Sequence, residues 1–220
     1  MSIKLMPYNP HVQMLRSTYE PERICAQAAM ATQQCAIESM PQIPGTISLI
    51  QNIAEMGHTS VFEHASVTFL LENVSRGCMD QITRHRIGSF TCSSTHYEAH
   101  EDSIYLVPAH LLQNRAVYES CLQTHYLYIA ARNKDEIGAE ARQLLPLAIS
   151  CRLMWTVNAR SLLNFLRLRL CRRNMQEIIM VAEQVLTLSR NWFPELFDSK
   201  APLPECMRTK CDQGHMTCGK

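Results

Sequence analysis

Glycine is scarce in this chain: seven residues in 220, at positions 45, 57, 77, 88, 138, 214 and 219. Neither G-x-G-x-x-G nor the full Walker A pattern G-x-x-x-x-G-K-[ST] occurs, so any bound phosphate must be held by side chains, not by a glycine-rich backbone loop. Long apolar runs are lacking too. No window approaches the roughly eighteen apolar residues of a membrane span, and MSIKLMPYNPHVQML lacks the uninterrupted apolar stretch of a signal peptide. The expectation is a cytoplasmic protein with no membrane partner. Excess charge of either sign is absent, with 21 Lys and Arg against 20 Asp and Glu. A formal net charge of +1 excludes nucleic-acid binding driven by bulk charge.

What is present fits one sizeable domain, expected over residues 1–198, with a Cys-rich tail over 199–220. Hydrophobic residues make up 46% of the chain, enough for a globular core. Ten cysteines without an export signal read as reduced thiols.

The pattern predicts helices over about 20–34, with Pro21 in the first turn, and over about 48–56, ending at Gly57. ASVTFLLE (65–72) alternates as a half-buried strand, and Ser75 is placed to cap a helix through Cys78, Met79 and Ile82. DSIYLVP (102–108) reads as a short strand stopped by Pro108. Helices are expected over 110–132, 135–145 and 153–192, the last broken near 171–174, where Asn174 and Glu177 resemble a capping box. The result is helix-rich with a small sheet.

Residues 84–97, RHRIGSFTCSSTHY, gather Arg84, His85 and Arg86 upstream of six hydroxyl side chains and Cys92. Arginine forks and hydroxyl donors suit a bound phosphate, which makes this an anion pocket at a helix end. A solvated polar turn fits the same residues. Downstream, WTVNARSLLNFLRLRL (155–170) places Arg160, Asn164 and Arg167 at i, i+4, i+7 among leucines. Such a stripe must meet water, another subunit or a ligand, because an unpaired buried guanidinium is prohibitively costly.

In HTSVFEH (58–64) the two histidines are six residues apart, about 240° around a helix, and cannot share a metal from one face. His96 and His100 have i, i+4 spacing, but the sequence before them is loop-like. His58, Glu63 and His64 otherwise read as satisfied polar groups at the entrance to a strand. No metal is expected in the main domain. Cys206, Cys211, His215 and Cys218 carry the residue types of a zinc site, but the gap between the first pair is wider than a close knuckle, and a reduced tail is the reading taken.

Taken together these residues resemble the flavin-dependent thymidylate synthases, whose signature is RHR, seven residues, then Ser. Here Arg84-His85-Arg86 is followed at that distance by Ser94. The flanks GHTSVFEH, SRGCMDQITRHR and WTVNARSLLNFLRLR agree, and the resemblance is good from about His58 to Trp192.

The resemblance implies an α/β fold of α+β type, a helix-rich single domain with a small, mainly antiparallel sheet. It also implies a homotetramer with sites at subunit interfaces. It assigns His58, Ser60, Arg84, His85, Arg86, Cys92, Asn158, Arg160 and Asn164 to the FAD site. Gln81, Arg84, Ser93, Ser94, His96, Arg142 and Arg169 are assigned to the dUMP site. The implied reaction passes a one-carbon unit from 5,10-methylenetetrahydrofolate, by way of reduced FAD, to C5 of dUMP, with NADPH supplying electrons. Arg169 matches the catalytic arginine that polarises the uracil ring, a case of electrostatic preorganisation.

Three residues depart from the pattern. His96 stands where an arginine is usual, Cys92 where an acidic or amide residue is usual, and Thr91 where Asn or Ser is common. Histidine offers no bidentate fork to phosphate. A charge-assisted hydrogen bond is worth about 1.5–3 kcal/mol, so substrate choice is decided near this residue. Alternatives to the synthase are therefore a related enzyme acting on another pyrimidine nucleotide or one-carbon transfer, and an inactive flavin- or nucleotide-binding homologue. Cys92 itself reads either as a small loop residue or as a nucleophile whose pKa is lowered by Arg84, Arg86 and His96.

Overall fold

A computed structural model describes residues 2–32, 43–95, 102–133, 140–204, 207, 210–211 and 213–218. The fold is mixed α/β with a small antiparallel sheet, as the resemblance implies. Backbone contacts group the chain into two compact units. The first comprises Met1–His11, Leu71–Arg84 and Phe90–Met154; the second comprises Val12–Leu70, His85–Ser89 and Trp155–Lys220.

In the first unit, β1 (Ser2–Pro7) pairs in parallel with β5 (Asp102–Val107), in register from Ser2 opposite Asp102 to Pro7 opposite Val107. The Asp102 carboxylate fixes that register by accepting from the Ser2 backbone at 2.7 Å. Ile3, Tyr105, Cys121 and Ile149 form the buried centre. Helix α4 (Arg115–Arg132) supplies Cys121 and starts where Asn114 Oδ1 accepts from the Ala116 and Val117 amides. The cap predicted for Ser75 is present: its hydroxyl accepts from Cys78 N at 3.0 Å and opens α3 (Arg76–Thr83).

The second unit holds α1 (Pro21–Thr32), α2 (Ile43–Glu55), a 3₁₀ turn at Thr59–His64, α5 (Ala159–Arg169), α6 (Gln176–Trp192) and α7 (Pro194–Phe197). Gly57, at φ +78°, follows α2 in the left-handed conformation that ends helices. Its core is aromatic: Phe62, Phe69, Trp155, Phe165, Phe193 and Phe197 are all fully buried. Trp155 meets Phe165 edge-on at 4.8 Å and Phe69 at 5.9 Å.

A four-stranded sheet has the order β2-β3-β6-β4, with β2 at His11–Ser17, β3 at Ser66–Ser75, β4 at Ser89–Cys92 and β6 at Ser150–Asn158. β6 corrects the predicted helix beginning at Leu153. Cys151, Leu153, Trp155 and Val157 are buried while Arg152 and Met154 are exposed, the two-residue period of a strand. Helix begins only at Ala159, where Asn158 Oδ1 accepts from Ser161 N at 2.8 Å. β4 likewise replaces part of the predicted polar loop.

The break between the last long helices lies where expected, but its chemistry differs. Helix α6 has no side-chain cap, and Glu177 is fully buried, so Asn174 and Glu177 form no capping box. The segment expected as helix over 135–145 is a short 3₁₀ turn at Glu140–Leu144 among its described residues. No helix among the described residues is long and apolar enough to cross a membrane.

Candidate functional site

In the first unit the predicted nucleotide residues occupy α3 and the segment around β4. Gln81 is half-buried on α3, and Arg84 is exposed at its C-cap. Ser93 is committed to the sheet: its amide donates to the Arg152 carbonyl at 2.9 Å, and its hydroxyl accepts from Arg152 N at 3.1 Å. The hydroxyl proton is the part of Ser93 that can still serve a ligand. Ser94 is half-buried beside it, while Arg142 is exposed on the Glu140–Leu144 turn.

A polar cavity of about 370 Å³ lies against Ser93, lined also by Glu72, Ser150 and Arg152. The Arg152 guanidinium contacts Glu72 at 2.8 Å. The sequence reading missed Arg152, which lies just before the helix expected from Leu153, and took Glu72 only as the end of the 65–72 strand. The signal was there in CRLMWTV, whose apolar residues fall at every second position.

Cys92 corrects the nucleophile reading. Its thiol is half-buried at the end of β4, and desolvation pushes its pKa above the ordinary value. Arg76 pulls the other way and Asp80 adds to the rise. Burial outweighs the neighbouring cation, so the shift runs opposite to that of an activated thiolate. His96, the other departure, lies outside the described residues, as does His100.

Of the predicted flavin residues, His58, Ser60, His85, Arg86, Asn158, Arg160 and Asn164 belong to the second unit, and Arg84 and Cys92 to the first. The Thr59–His64 turn packs against α5, and the amide of Ala159 donates to the carbonyl of Ala65 at 2.8 Å, tying the start of α5 to the end of that turn. His58 and Ser60 are exposed on the turn; Arg160 and Asn164 are exposed one helical turn apart on α5. Glu63 forms an ion pair with Arg160 and so aligns the two elements. Both side chains are about half exposed, so the pair orients more than it stabilises. Asn158 spends its carbonyl oxygen on the α5 cap, so only its NH₂ could serve a ligand. Arg167 departs from the predicted stripe: its Nε donates to the Ala201 carbonyl at 2.6 Å, a structural clamp.

Within the RHR motif, Arg86 is exposed whereas His85 is buried at 8% exposure. The His85 ring stands edge-on to Phe165 at 5.0 Å, and its Nε2 accepts from Arg169 Nε at 3.1 Å. Burial, then the neighbouring Arg169 charge, lowers the His85 pKa from 6.5 to about 4. The imidazole is therefore neutral near pH 7, with its proton on Nδ1 and its lone pair turned to the guanidinium. Arg169 thus keeps its positive charge beside a neutral partner.

Among the described residues no group of three or more His, Cys, Asp or Glu is placed to hold a metal ion. Of the tail residues whose types suit zinc, Cys206 lies outside the described residues. Cys211 there has its thiol pKa lowered to about 7, chiefly by hydrogen bonds from Thr217 and the Cys218 backbone.

The family model described as thymidylate synthase complementing protein matches residues 13–195. A flavin-dependent thymidylate synthase of Geobacter sulfurreducens is 33% identical over 219 residues, covering 95% of this chain and 94% of that protein. One from Clostridium tetani is 29% identical over 233 residues, covering 95% and 93%. Among solved structures, a UMP/dUMP methylase, PolB, from Streptomyces cacaoi bound with 5-Br dUMP superposes with a TM-score of 0.79. It covers 91% of this chain and 97% of its own, at 23% identity, and is similar in fold.

Proposed function

Since the chain belongs to the thymidylate synthase complementing protein family, whose curated relatives are named flavin-dependent thymidylate synthases, we propose that it methylates dUMP to dTMP. The single observation that carries the mechanism is the Arg169 guanidinium, held at Nε by a neutral His85. A fixed cation beside the pyrimidine stabilises negative charge on N3 and the adjoining carbonyl as C5 becomes nucleophilic. Because the arginine is oriented before substrate arrives, little reorganisation is needed during the reaction.

The donor chemistry of the second unit fits FAD. Arg86, Arg160, His58, Ser60 and Asn164 are exposed cations and neutral donors, the set a pyrophosphate needs where no glycine-rich loop exists. Arg84, His85, Asn158 and Cys92 complete the flavin assignment. When bound, flavin supplies the redox and one-carbon carrier chemistry. Gln81, Arg84, Ser93, Ser94, His96 and Arg142 serve the nucleotide, and NADPH and 5,10-methylenetetrahydrofolate are the co-substrates. The working form is a homotetramer.

The test is NADPH oxidation by the purified, FAD-loaded protein. Oxidation that depends on dUMP, with dTMP appearing only when methylenetetrahydrofolate is added, supports the synthase. NADPH oxidation stimulated by UMP in preference to dUMP would shift the assignment to the second pyrimidine substrate, the reading that Cys92 and His96 motivate. Bound flavin without product from either nucleotide would leave a binding homologue.

A further inference from the structure

Asn174 closes the C-terminal end of α5 and also reaches the Arg169 side chain, a contact that capping does not explain. Its Nδ2 donates to the carbonyls of Leu168 at 2.7 Å and Cys171 at 2.9 Å, and its Oδ1 accepts from Arg169 Nη1 at 3.4 Å. The amide orientation follows from this division, since carbonyls require the NH₂ and the guanidinium requires the oxygen. One side chain therefore closes the last turn of α5 and touches the functional group of that turn's final residue.

The opposite flank of the guanidinium is held by His85 at Nε. His85 is in turn braced by Phe165, and Phe165 by Trp155. Two nitrogens of Arg169 are thus tied to two separate segments, the RHR motif and the turn between α5 and α6. A flexible arginine held at two points has already lost the torsional freedom that would otherwise be lost on reaching the transition state.

We propose that Asn174 is a positioning residue for the pyrimidine chemistry: with His85 it brackets the Arg169 guanidinium and anchors the backbone from which that arginine projects. This role rests on the assignment of Arg169 to dUMP made above. Asn174 touches neither substrate nor flavin in this scheme, so its loss lowers kcat while leaving the dUMP KM and flavin content near their original values. A misplaced guanidinium costs about ten- to a hundredfold in rate.

The experiment measures tritium release from [5-³H]dUMP by the FAD-loaded, full-length enzyme under multiple- and single-turnover conditions. Asn174→Ala removes the bracket and the carbonyl contacts together. Asn174→Ser keeps a short donor for the turn but does not reach Arg169, so it separates tethering from folding. The expected result is a kcat loss of about ten- to a hundredfold in both variants. The Tm of Asn174→Ser stays closer to the original than that of Asn174→Ala. In an Arg169→Lys background neither change lowers the single-turnover rate further, because the group being positioned is gone. Unchanged kcat in Asn174→Ser, or losses that multiply with Arg169→Lys, overturn the role of Asn174 alone. An original enzyme that releases no tritium overturns the function assigned to Arg169, and the positioning role with it.

Discussion

At the residue scale, His85 shows how a motif name and a side chain's physical role diverge. As part of RHR it reads as a cation for an anionic ligand; packed on Phe165 it is a neutral acceptor for Arg169. Its lowered pKa gives a signed expectation. Between about pH 4 and 6.5 the unfolded chain binds a proton that folded His85 refuses, so stability rises with pH across this window and His85 contributes no slope above it. His85→Asn should flatten that slope in urea melts taken from pH 4 to 7; an unchanged slope would mean that His85 is not held neutral. Cys92 gives a second test. With its thiol raised by burial, alkylation at pH 7 should be slower than for a free cysteine, and Cys92→Ser should retain full turnover. Rapid alkylation blocked by dUMP would restore the nucleophile.

Single residues of the site were legible where the chemistry is local. The spacing from RHR to Ser94 and the run NARSLLNFLRLR need no tertiary information. The roles of Asn174 and Glu63 were not legible, because each depends on a partner brought near by folding: Asn174 folds back on α5, and Glu63 meets Arg160 at a separation of 97 residues.

At the scale of elements, the helices were easier to read than the strands. α1, α3 and α4 follow from periodicity and caps within the segment itself. β1 acquires its structure from a partner 100 residues away, and β6 from a ladder that includes the Thr68–Thr156 side-chain hydrogen bond at 2.9 Å. Non-local pairing of this kind leaves only alternation in the sequence, and in CRLMWTVN that alternation runs directly into a leucine-rich helix. Asn158 marks the boundary. As the α5 cap it should contribute about 1 kcal/mol, so Asn158→Ala should lower stability by that amount in chemical denaturation. The same change should weaken flavin retention, since it also removes the NH₂ donor. Lost stability with full flavin retention would confine Asn158 to capping.

At the scale of the molecule, the near-neutral charge and the missing glycine loop acquire a common explanation. In the proposed function, a chain without a phosphate-binding backbone loop gathers cationic and hydroxyl side chains from several elements at the interfaces of a homotetramer. A species of four times the 25.1 kDa chain mass is therefore expected in light scattering, with flavin bound. A monomer that retains flavin would show that one chain completes the site.

The proposed reaction transfers a one-carbon unit to C5 of a pyrimidine nucleotide. Mass spectrometry of the product formed from dUMP, NADPH and 5,10-methylenetetrahydrofolate carrying ¹³C in its methylene tests it directly. The expected product is dTMP bearing the label in its ring methyl group. Unlabelled dTMP, or dUMP recovered unchanged while NADPH is consumed, would contradict it.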